Sequence, residues 1–309
     1  MSIEPDARIY VAGAETMTGS AIASRLRAQG FAGLVQEAEP DLRGCGAVHG
    51  FFERVRPEYV FVVAGQTAGI AGNQRFPADL MIDNLLIASH LIPTAWRCGV
   101  KKLLYLASSC AYPKLAPQPL QVASLWTGSL EPTSAAYAVS KLAGVTLCHA
   151  YRQQHGAQFI IAIAADAYGP GDDFDSERSH VVGALMRRFH DAQVAGKPFV
   201  EVWGSGTPRR EFIYVDDLAD ACIFAMGHYA GVETLNLGTG GTTSIAELAE
   251  SIRDVVGYRG ELRFDRSRPD GMPFKGLDST PLGELGWRAR WDLRRGLERT
   301  YEWFLAHRV

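Results

Sequence analysis

The sequence predicts an α/β fold with a doubly wound parallel sheet and a smaller C-terminal lobe, and three observations support this. Apolar segments alternate with segments of helical spacing over the first two thirds of the 309 residues, which is typical of a parallel sheet covered by helices. The strand segments are apolar throughout, as expected where both faces of a sheet are buried. A glycine-containing turn, VAGAETMTGSAI, follows the first strand, as in Rossmann-like dinucleotide-binding folds.

The individual elements follow from apolar runs and from helical spacing. We expect strands in four largely apolar runs: Ile9–Ala12, Tyr59–Ala64, Lys102–Ala107 and Phe159–Ala164. We expect helices where apolar residues recur every three or four positions: Gly19–Gln29, Asp79–Cys98, Ser134–His155 and His180–Ala195. After Gly169-Pro170 the pattern loosens, and GSGTPRREFIYVDDLADACIFAMGHY supplies one more strand and helix.

The C-terminal part of the chain predicts a second lobe, because it mixes short strands, helices and polar loops. We expect residues 1–167 and 211–236 to form the dinucleotide-binding domain, and residues 168–210 and 237–309 to form the substrate-binding lobe. Such a lobe covers the carboxyl edge of the sheet, where ligands bind in doubly wound folds.

Composition and charge argue against several classes of function. The net charge is -3, so the chain has no basic footprint for nucleic acid. The segment MSIEPDARIY lacks the apolar core of a signal peptide, and no apolar run approaches the ~18 residues of a membrane span. The five cysteines are scattered and form no CxxC pair, which disfavours zinc and a disulfide framework. We therefore expect a cytoplasmic enzyme without a metal, membrane or nucleic-acid partner.

A candidate catalytic pair lies on the third predicted helix. Tyr137 and Lys141 are four residues apart, so their side chains share one helix face. A lysine ammonium beside a phenol lowers the phenol pKa from ~10, which suits proton transfer to a carbonyl oxygen near neutral pH. The spacing alone also fits two solvated side chains. Ser108, however, ends an upstream strand, where its hydroxyl would point into the ligand crevice.

The glycine turn, the strand-end serine and the Tyr-x-x-x-Lys pair together resemble the extended short-chain dehydrogenase/reductases. Longer stretches resemble the GDP-L-fucose synthase family within that group: SSCAYPKLAPQPL, LEPTSAAYAVSKLAG, SHVVGALMRRFHDA, VWGSGTPRREFIYVDDLA and RPDGMPFKGLD. The resemblance runs from about Ile9 to Phe304. It implies epimerisation at C3 and C5 of a GDP-4-keto-6-deoxy sugar, followed by NAD(P)H-dependent reduction at C4.

The resemblance also implies roles for single residues. Ser108 would orient the carbonyl, Tyr137 would protonate the C4 alkoxide, and Lys141 would hold the ribose. Cys110 and His180 match the family's two proton-transferring residues at C3 and C5, and the reference pKa values of these residue types suit such transfer near pH 7. Taken alone, Cys110 also fits a small buried side chain, and His180 a polar residue at a helix start.

Further positions match the family's binding residues. Sugar-nucleotide contacts are implied at Arg188, Trp203, Arg210 and Asp270. Cofactor contacts are implied at Gly13, Thr16, Gly19, Glu37, Ala64, Leu106, Lys141, Ala164, Ala167 and His180. The family's paired helices imply a homodimer, with apolar residues Leu85, Leu86, Leu91, Val139, Leu142 and Leu147 on the two helices. These residues also fit packing against the protein's own sheet.

The chain departs from the family where the cofactor binds. Thr16 replaces the middle glycine of the turn, and Glu15 stands where a basic residue is common. We expect Thr16 to crowd the pyrophosphate while its hydroxyl offers the phosphates one hydrogen bond. Glu37 and Glu39 stand where arginines pair with the 2′-phosphate of NADP, and a carboxylate there suits a free 2′-hydroxyl. The resemblance therefore implies NADP(H), whereas the local charge favours NAD(H).

Two more departures leave other functions open. Ala164-Ala165-Asp166 replaces the family's Pro-Thr-Asn, and the segment at positions 64–69 loses a lysine. The alternatives are an epimerase with weak reduction, an enzyme for another NDP-4-keto sugar such as a heptose or dideoxy sugar, and a non-catalytic nucleotide-sugar binding protein. Mere binding requires none of the catalytic residues, which argues against the last of these.

Overall fold

The computed structural model describes residues 3–175 and 179–307. Its helices are α1 (Met17–Ala28), α2 (Cys45–Val55), α3 (Ile70–Arg75), α4 (Pro77–Arg97), α5 (Ala135–His155), α6 (Val181–Val194), α7 (Val215–His228), α8 (Ile245–Val256), α9 (Thr280–Glu284) and α10 (Leu293–His307). Its strands are β1 (Ile9–Ala12), β2 (Tyr59–Val62), β3 (Lys102–Ser108), β4 (Phe159–Ala164), β5 (Asp166–Tyr168), β6 (Phe199–Trp203), β7 (Arg209–Arg210), β8 (Phe212–Tyr214), β9 (Leu235–Leu237), β10 (Thr243–Ser244), β11 (Glu261–Asp265) and β12 (Phe274–Lys275).

The central layer is a parallel sheet with the strand order β1-β2-β3-β4-β9. Leu34 extends the β1 edge of this sheet through a parallel bridge to Ile9. The chain therefore leaves β1 first to one side, at Leu34, and then returns to the other side, at β2. A reversal of this kind opens a ligand crevice at the carboxyl ends of the strands, here beyond β1 and β2.

Helices cover both faces of this sheet, and its strands are therefore buried. All residues of β1, β2 and β4 are buried, and α4 packs beside α5 while α1 packs beside α7. The four predicted strands and four predicted helices are confirmed, with ends displaced by no more than two residues. The prediction omits α2, whose Phe51 and Phe52 are buried beside Tyr10.

A second hydrophobic core lies in the C-terminal part of the chain. It joins α6, α8 and α10 to the parallel pair β6 and β11, with Phe189 and Leu248 fully buried at its centre. The strands β10, β7 and β12 form a small sheet nearby. The domain boundaries at residues 167, 210 and 236 stay a prediction. Within the described ranges, none of the helices has the length and apolar character needed to cross a membrane.

Candidate active site

The turn after β1 depends on two glycines. Gly13 has a φ of +90°, and a Cβ there would lie 2.7 Å from the backbone of Ala64. A Cβ on Gly19 would lie 2.0 Å from the carbonyl oxygen of Gly13. Both positions therefore exclude a side chain, and the first turn of α1 packs tightly against the end of β1. These features fit the cradle that receives a dinucleotide pyrophosphate.

Thr16 caps α1 from within this turn. Its hydroxyl donates to the carbonyl oxygen of Gly13 at 2.7 Å and accepts from the N–H of Gly19 at 3.1 Å. The expectation that this hydroxyl offers the phosphates a hydrogen bond is therefore wrong, since the hydroxyl is used inside the turn. A threonine at an N-cap supplies an acceptor to an otherwise unpaired amide, which a glycine cannot do.

The two carboxylates after the Leu34 bridge face different partners. Glu39 Oε2 accepts from the N–H of Gly13 at 2.7 Å and from the hydroxyl of Tyr10 at 2.9 Å. Desolvation raises the pKa of Glu39, and the nearby Glu15 carboxylate adds to this rise. Glu37 instead binds the guanidinium of Arg54 at 2.7 Å. Glu39, rather than Glu37, is thus the carboxylate that contacts the glycine turn.

A cavity of about 340 Å³ runs from the turn to Lys141. Six of the predicted cofactor contacts line it: Thr16, Leu106, Lys141, Ala164, Ala167 and His180. Burial lowers the pKa of Lys141 to about 8. The backbone of Gly65 lies close to this lysine, since a Cβ there would be 3.0 Å from Nζ. We call this space the dinucleotide cavity.

A second cavity of about 270 Å³ is lined by all four predicted sugar-nucleotide contacts, Arg188, Trp203, Arg210 and Asp270. We call it the sugar cavity. Asp270 holds the neighbouring loop, because its carboxylate accepts from the N–H of Ser205 at 2.7 Å and from the hydroxyl of Ser205 at 2.8 Å. Arg210 donates to the carbonyl oxygen of Asp270 at 3.3 Å.

The sugar cavity contains an arginine that the sequence analysis missed. The guanidinium carbon of Arg268 lies 4.8 Å from the centroid of the Trp203 ring, and that of Arg188 lies 4.4 Å from the same centroid. An arginine in contact with an indole ring gains cation–π attraction. Arg268 is the first residue of the RPDGMPFKGLD motif, and Asp270 is the third. The motif that identified Asp270 therefore also contained this arginine.

The two cavities meet, and the residues that line both include Thr67, Ser108, Tyr137, Asp166 and His180. Cys110 lines the sugar cavity at this junction. The structure therefore brings together the serine, tyrosine, cysteine and histidine that the sequence analysis singled out, although they come from distant parts of the chain.

The phenol of Tyr137 lies beside the hydroxyls of Thr67 and Ser108 in the lining of both cavities. Burial raises the pKa of Tyr137 above its usual value, the nearby Cys110 adds to this rise, and the hydroxyls of Thr67 and Ser108 lower it in part. The expected lowering of this pKa by Lys141 is therefore wrong for this structure. The lysine Nζ lies 5.9 Å from the centroid of the Tyr137 ring. Desolvation is the largest influence on the pKa of the phenol, and it outweighs any lowering by the lysine charge.

His180 and Cys110 flank the same space. His180 is the N-cap residue of α6, and its Nε2 lies 3.1 Å from the Thr67 hydroxyl. Its ring is accessible through the cavity but surrounded by protein, and this desolvation lowers the pKa of His180. The N–H of Cys110 donates to the Ser108 hydroxyl at 3.3 Å, at the start of a single 3-10 turn.

An ion pair beside these residues was also missed by the sequence analysis. Lys275 Nζ lies 2.6 Å from Asp166 Oδ1. Burial would raise the pKa of Asp166, but Lys275 outweighs this effect and keeps the pKa below its usual value. Residues 3–175 and 179–307 contain no group of three or more His, Cys, Asp or Glu side chains arranged to hold a metal ion.

Comparisons with known proteins agree with this geometry. Residues 9–238 match the model of the NAD dependent epimerase/dehydratase family. The chain is 48% identical to GDP-L-fucose synthase 1 of Arabidopsis thaliana, over 98% of the chain and 95% of that protein.

Two solved structures are similar over nearly their whole length. A GDP-6-OMe-4-keto-L-xylo-heptose reductase from C. jejuni has a TM-score of 0.94 and 32% identity, covering 99% of this chain and 100% of that one. A GDP-L-fucose synthetase from Naegleria fowleri bound to NADP has a TM-score of 0.92 and 26% identity, covering 100% of this chain and 97% of that one.

Proposed function

Since the chain belongs to the NAD dependent epimerase/dehydratase family, we propose that it epimerises and reduces a GDP-4-keto-6-deoxy sugar, forming GDP-L-fucose. One observation carries this proposal: the dinucleotide cavity and the sugar cavity meet at Ser108, Tyr137 and His180. A sugar carbonyl at the junction is within reach of a dinucleotide on one side and of proton-transferring side chains on the other.

In this proposal the glycine turn and Lys141 hold the dinucleotide. The N–H groups at the start of α1 face the pyrophosphate, as helix N-termini do for anions. Lys141, buried in the dinucleotide cavity, donates to the ribose hydroxyls. When bound, a reduced nicotinamide supplies the hydride that reduces C4 of the sugar.

The sugar cavity binds the GDP portion through its cations. Arg188, Arg210 and Arg268 line this cavity, and guanidinium groups bind phosphate oxygens through paired, charge-assisted hydrogen bonds. Trp203 supplies an apolar wall between Arg188 and Arg268. The Asp166–Lys275 ion pair also lines this cavity and, being neutral as a pair, offers the sugar ring hydrogen-bonding groups rather than a net charge.

Epimerisation requires a proton to leave one face of a carbon and another to arrive on the opposite face. The C4 carbonyl acidifies the protons on C3 and C5, so a base of ordinary strength removes them. Cys110 takes the proton and His180 returns one, while the Thr67 hydroxyl holds His180 Nε2. Ser108 and Thr67 orient the phenol of Tyr137, which protonates the C4 alkoxide during reduction.

A second candidate is the reduction of a GDP-4-keto heptose. The TM-score of 0.94 to a reductase of that class supports it. The two candidates differ in epimerisation, and the presence of both Cys110 and His180 in the site favours the epimerase and reductase.

The test uses deuterated water and GDP-4-keto-6-deoxymannose. We expect the protein to incorporate deuterium at C3 and C5 without a dinucleotide, and to form GDP-L-fucose when a reduced dinucleotide is added. Cys110→Ser and His180→Gln are each expected to slow deuterium incorporation by 10²-fold or more, within the range of general acid–base effects, while still binding the GDP sugar. Reduction without deuterium incorporation would support the heptose-reductase alternative instead.

A homodimer through α4 and α5 is part of the proposal. Ile82 and Trp96 on α4, and Val139 on α5, leave 50%, 38% and 41% of their surface exposed. Leu91 and Leu142 are instead buried within the chain, so only part of the predicted apolar surface is available to a partner. Sedimentation is expected to give a dimer at micromolar concentration, and Val139→Glu to give a monomer. The expected cytoplasmic location stays a prediction.

A further inference from the structure

The Thr67 hydroxyl is adjacent to two proton-transferring groups at the junction of the two cavities. Its Oγ1 lies 3.1 Å from His180 Nε2, and it lies beside the phenol of Tyr137. Thr67 itself lines both cavities. In the proposed function, this one hydroxyl therefore connects the side chain that returns a proton to the sugar ring with the side chain that protonates the C4 oxygen.

The phenol of Tyr137 requires a new proton after each reduction. Tyr137 is buried, with 7% of its surface exposed, so a phenolate formed there depends on a neighbouring donor. The Ser108 hydroxyl is one neighbour, but its own contact is the backbone N–H of Cys110, at 3.3 Å. Thr67 instead leads from the phenol to an imidazole, which gains and loses protons near neutral pH.

His180 is suited to carry protons between solvent and the junction. Its side chain is exposed in the cavity, so water reaches the ring between turnovers. The carboxylates of Asp166 and Asp173 favour its charged form, whereas desolvation and the charge of Lys275 oppose that form. The imidazole is thus recharged more easily than the buried phenol.

We propose that Thr67 relays a proton from His180 to Tyr137 during each cycle of reduction. Reduction at C4 leaves a negative charge on the C4 oxygen, and the Tyr137 O–H bond breaks as this oxygen takes the proton. The phenolate then takes the hydroxyl proton of Thr67, and Thr67 Oγ1 takes the Nε2 proton of the His180 imidazolium. Neutral His180 keeps its Nδ1 proton and regains the other from water. The net change is one proton moved from water to the C4 oxygen, and the relay itself oxidises and reduces nothing.

The inference rests on the proposed reductase function and adds a residue that none of the sequence motifs identified. Thr67 acts through Tyr137 and His180, so it positions a proton without having to touch the sugar. It also gives His180 a part in reduction as well as in epimerisation.

The first measurement is ¹⁵N NMR of the His180 ring in the full-length protein without ligands. A neutral imidazole has one donor and one acceptor nitrogen. If the Thr67 hydroxyl donates to Nε2, the ring proton is on Nδ1. We expect this form to predominate in the wild type and in Thr67→Ser, and to lose its predominance in Thr67→Val, which has a similar shape without the hydroxyl. An unchanged ring form in Thr67→Val overturns the contact on which the relay depends.

The second measurement compares the first turnover with later ones. Protein equilibrated with GDP-4-keto-6-deoxymannose receives reduced dinucleotide, either below one equivalent or in excess, and dinucleotide absorbance is followed. Tyr137 already holds its proton in the first turnover, so Thr67→Val should keep that rate within about threefold of the wild type. Its steady-state kcat should fall by about tenfold or more, since general acid catalysis then lacks its proton supply. Thr67→Ser should restore most of the kcat.

The matched control is Thr133→Val, which removes a threonine hydroxyl from the same sugar cavity. That hydroxyl lies 3.3 Å from a carboxylate oxygen of Glu131, so we expect wild-type kinetics and an unchanged His180 ring. Equal slowing of first and later turnovers by Thr67→Val would show a structural role and overturn the relay, as would an unchanged kcat. Absence of reduction by the wild type would instead overturn the proposed reductase function, and the relay with it.

Discussion

The sugar cavity and the glycine turn both face a diphosphate in the proposed reaction, yet their charges differ in sign. The sugar cavity carries Arg188, Arg210 and Arg268, whereas the turn carries Glu15 and the fixed carboxylate of Glu39. Backbone N–H groups and the α1 dipole are enough to bind a pyrophosphate without a cation. The comparison therefore indicates that recognition of the GDP sugar depends on charge, and that recognition of the dinucleotide depends on the shape of the backbone.

The largest effect is expected where the two regions meet. Tyr137→Phe removes the phenol hydroxyl and its acidic proton, and we expect it to slow C4 reduction by about 10³-fold. Deuterium incorporation at C3 and C5 should continue, because only the C4 alkoxide requires the phenol. Both are measured by NMR on the same sample. Loss of reduction and exchange together, in a folded protein, would contradict the separate roles.

The dinucleotide cavity also contains a carboxylate that is expected to titrate near neutral pH. Burial raises the pKa of Asp172 to about 7, against a hydrogen bond from the N–H of Asp173, while the Asp173 carboxylate adds to the rise. Asp172 Oδ2 is buried without a partner among the residues described. The folded protein therefore retains a proton on Asp172 that the unfolded chain loses near pH 4, so the free energy of unfolding falls from about pH 4 to about pH 7 and is constant above that.

We expect Asp172→Asn to remove that pH dependence. Between pH 5 and pH 8 the free energy of unfolding should fall by about 2–3 kcal/mol more in the wild type than in the variant. Urea unfolding at both pH values measures this difference. Asp191→Asn, at an exposed carboxylate on α6, is the control and should follow the wild type. Identical pH dependence in Asp172→Asn and wild type would show that Asp172 titrates at its ordinary pKa.

The elements, and the grouping of the candidate catalytic residues at one junction, were predictable from sequence for different physical reasons. Buried parallel strands are continuous apolar runs, so β1 and β4 were placed to the residue. The candidate catalytic residues were identified through motifs that resemble a family, and their roles stay a prediction. The Asp166–Lys275 pair was not found, because its partners are 109 residues apart and only the fold brings them together.

The direction of a pKa shift, and the partner that a carboxylate contacts, could not be predicted from the sequence either. Spacing put Tyr137 and Lys141 on one helix face but gave no measure of the desolvation that raises the pKa of the phenol. Glu37 and Glu39 are two residues apart and chemically identical, and only their contacts with Arg54 and Gly13 distinguish them. Sequence patterns thus identify residue types, while burial and contacts decide what each residue does.

The charge of the sugar cavity is tested by Arg268→Ala. We expect about tenfold weaker binding of GDP, since one charge-assisted contact of 1.5–3 kcal/mol is lost and water recovers part of it. Dinucleotide affinity should not change. The control is Arg266→Ala, two residues away at an exposed position. Calorimetry measures the affinity of each variant for GDP. An equal loss in the two variants would mean that Arg268 acts only through the net charge of the surface and not through direct contact with GDP.

The smallest effect is expected at Thr16, which replaces the middle glycine of the turn. This prediction tests whether the Thr16 side chain stabilises the turn or hinders ligand binding there. The Thr16 hydroxyl donates to Gly13 and accepts from Gly19, so Thr16→Ala leaves an amide of α1 without its cap. We expect a loss of about 1 kcal/mol in the free energy of unfolding, with a smaller loss for Thr16→Ser, which keeps the hydroxyl. Dinucleotide affinity should fall in parallel with the loss of the cap, because fraying of the first turn of α1 displaces the remaining N–H groups that face the pyrophosphate. Chemical denaturation and fluorescence titration of the two variants measure both quantities. If Thr16→Ala instead bound NADH more tightly at unchanged stability, the threonine would be crowding the pyrophosphate rather than shaping the backbone that binds it.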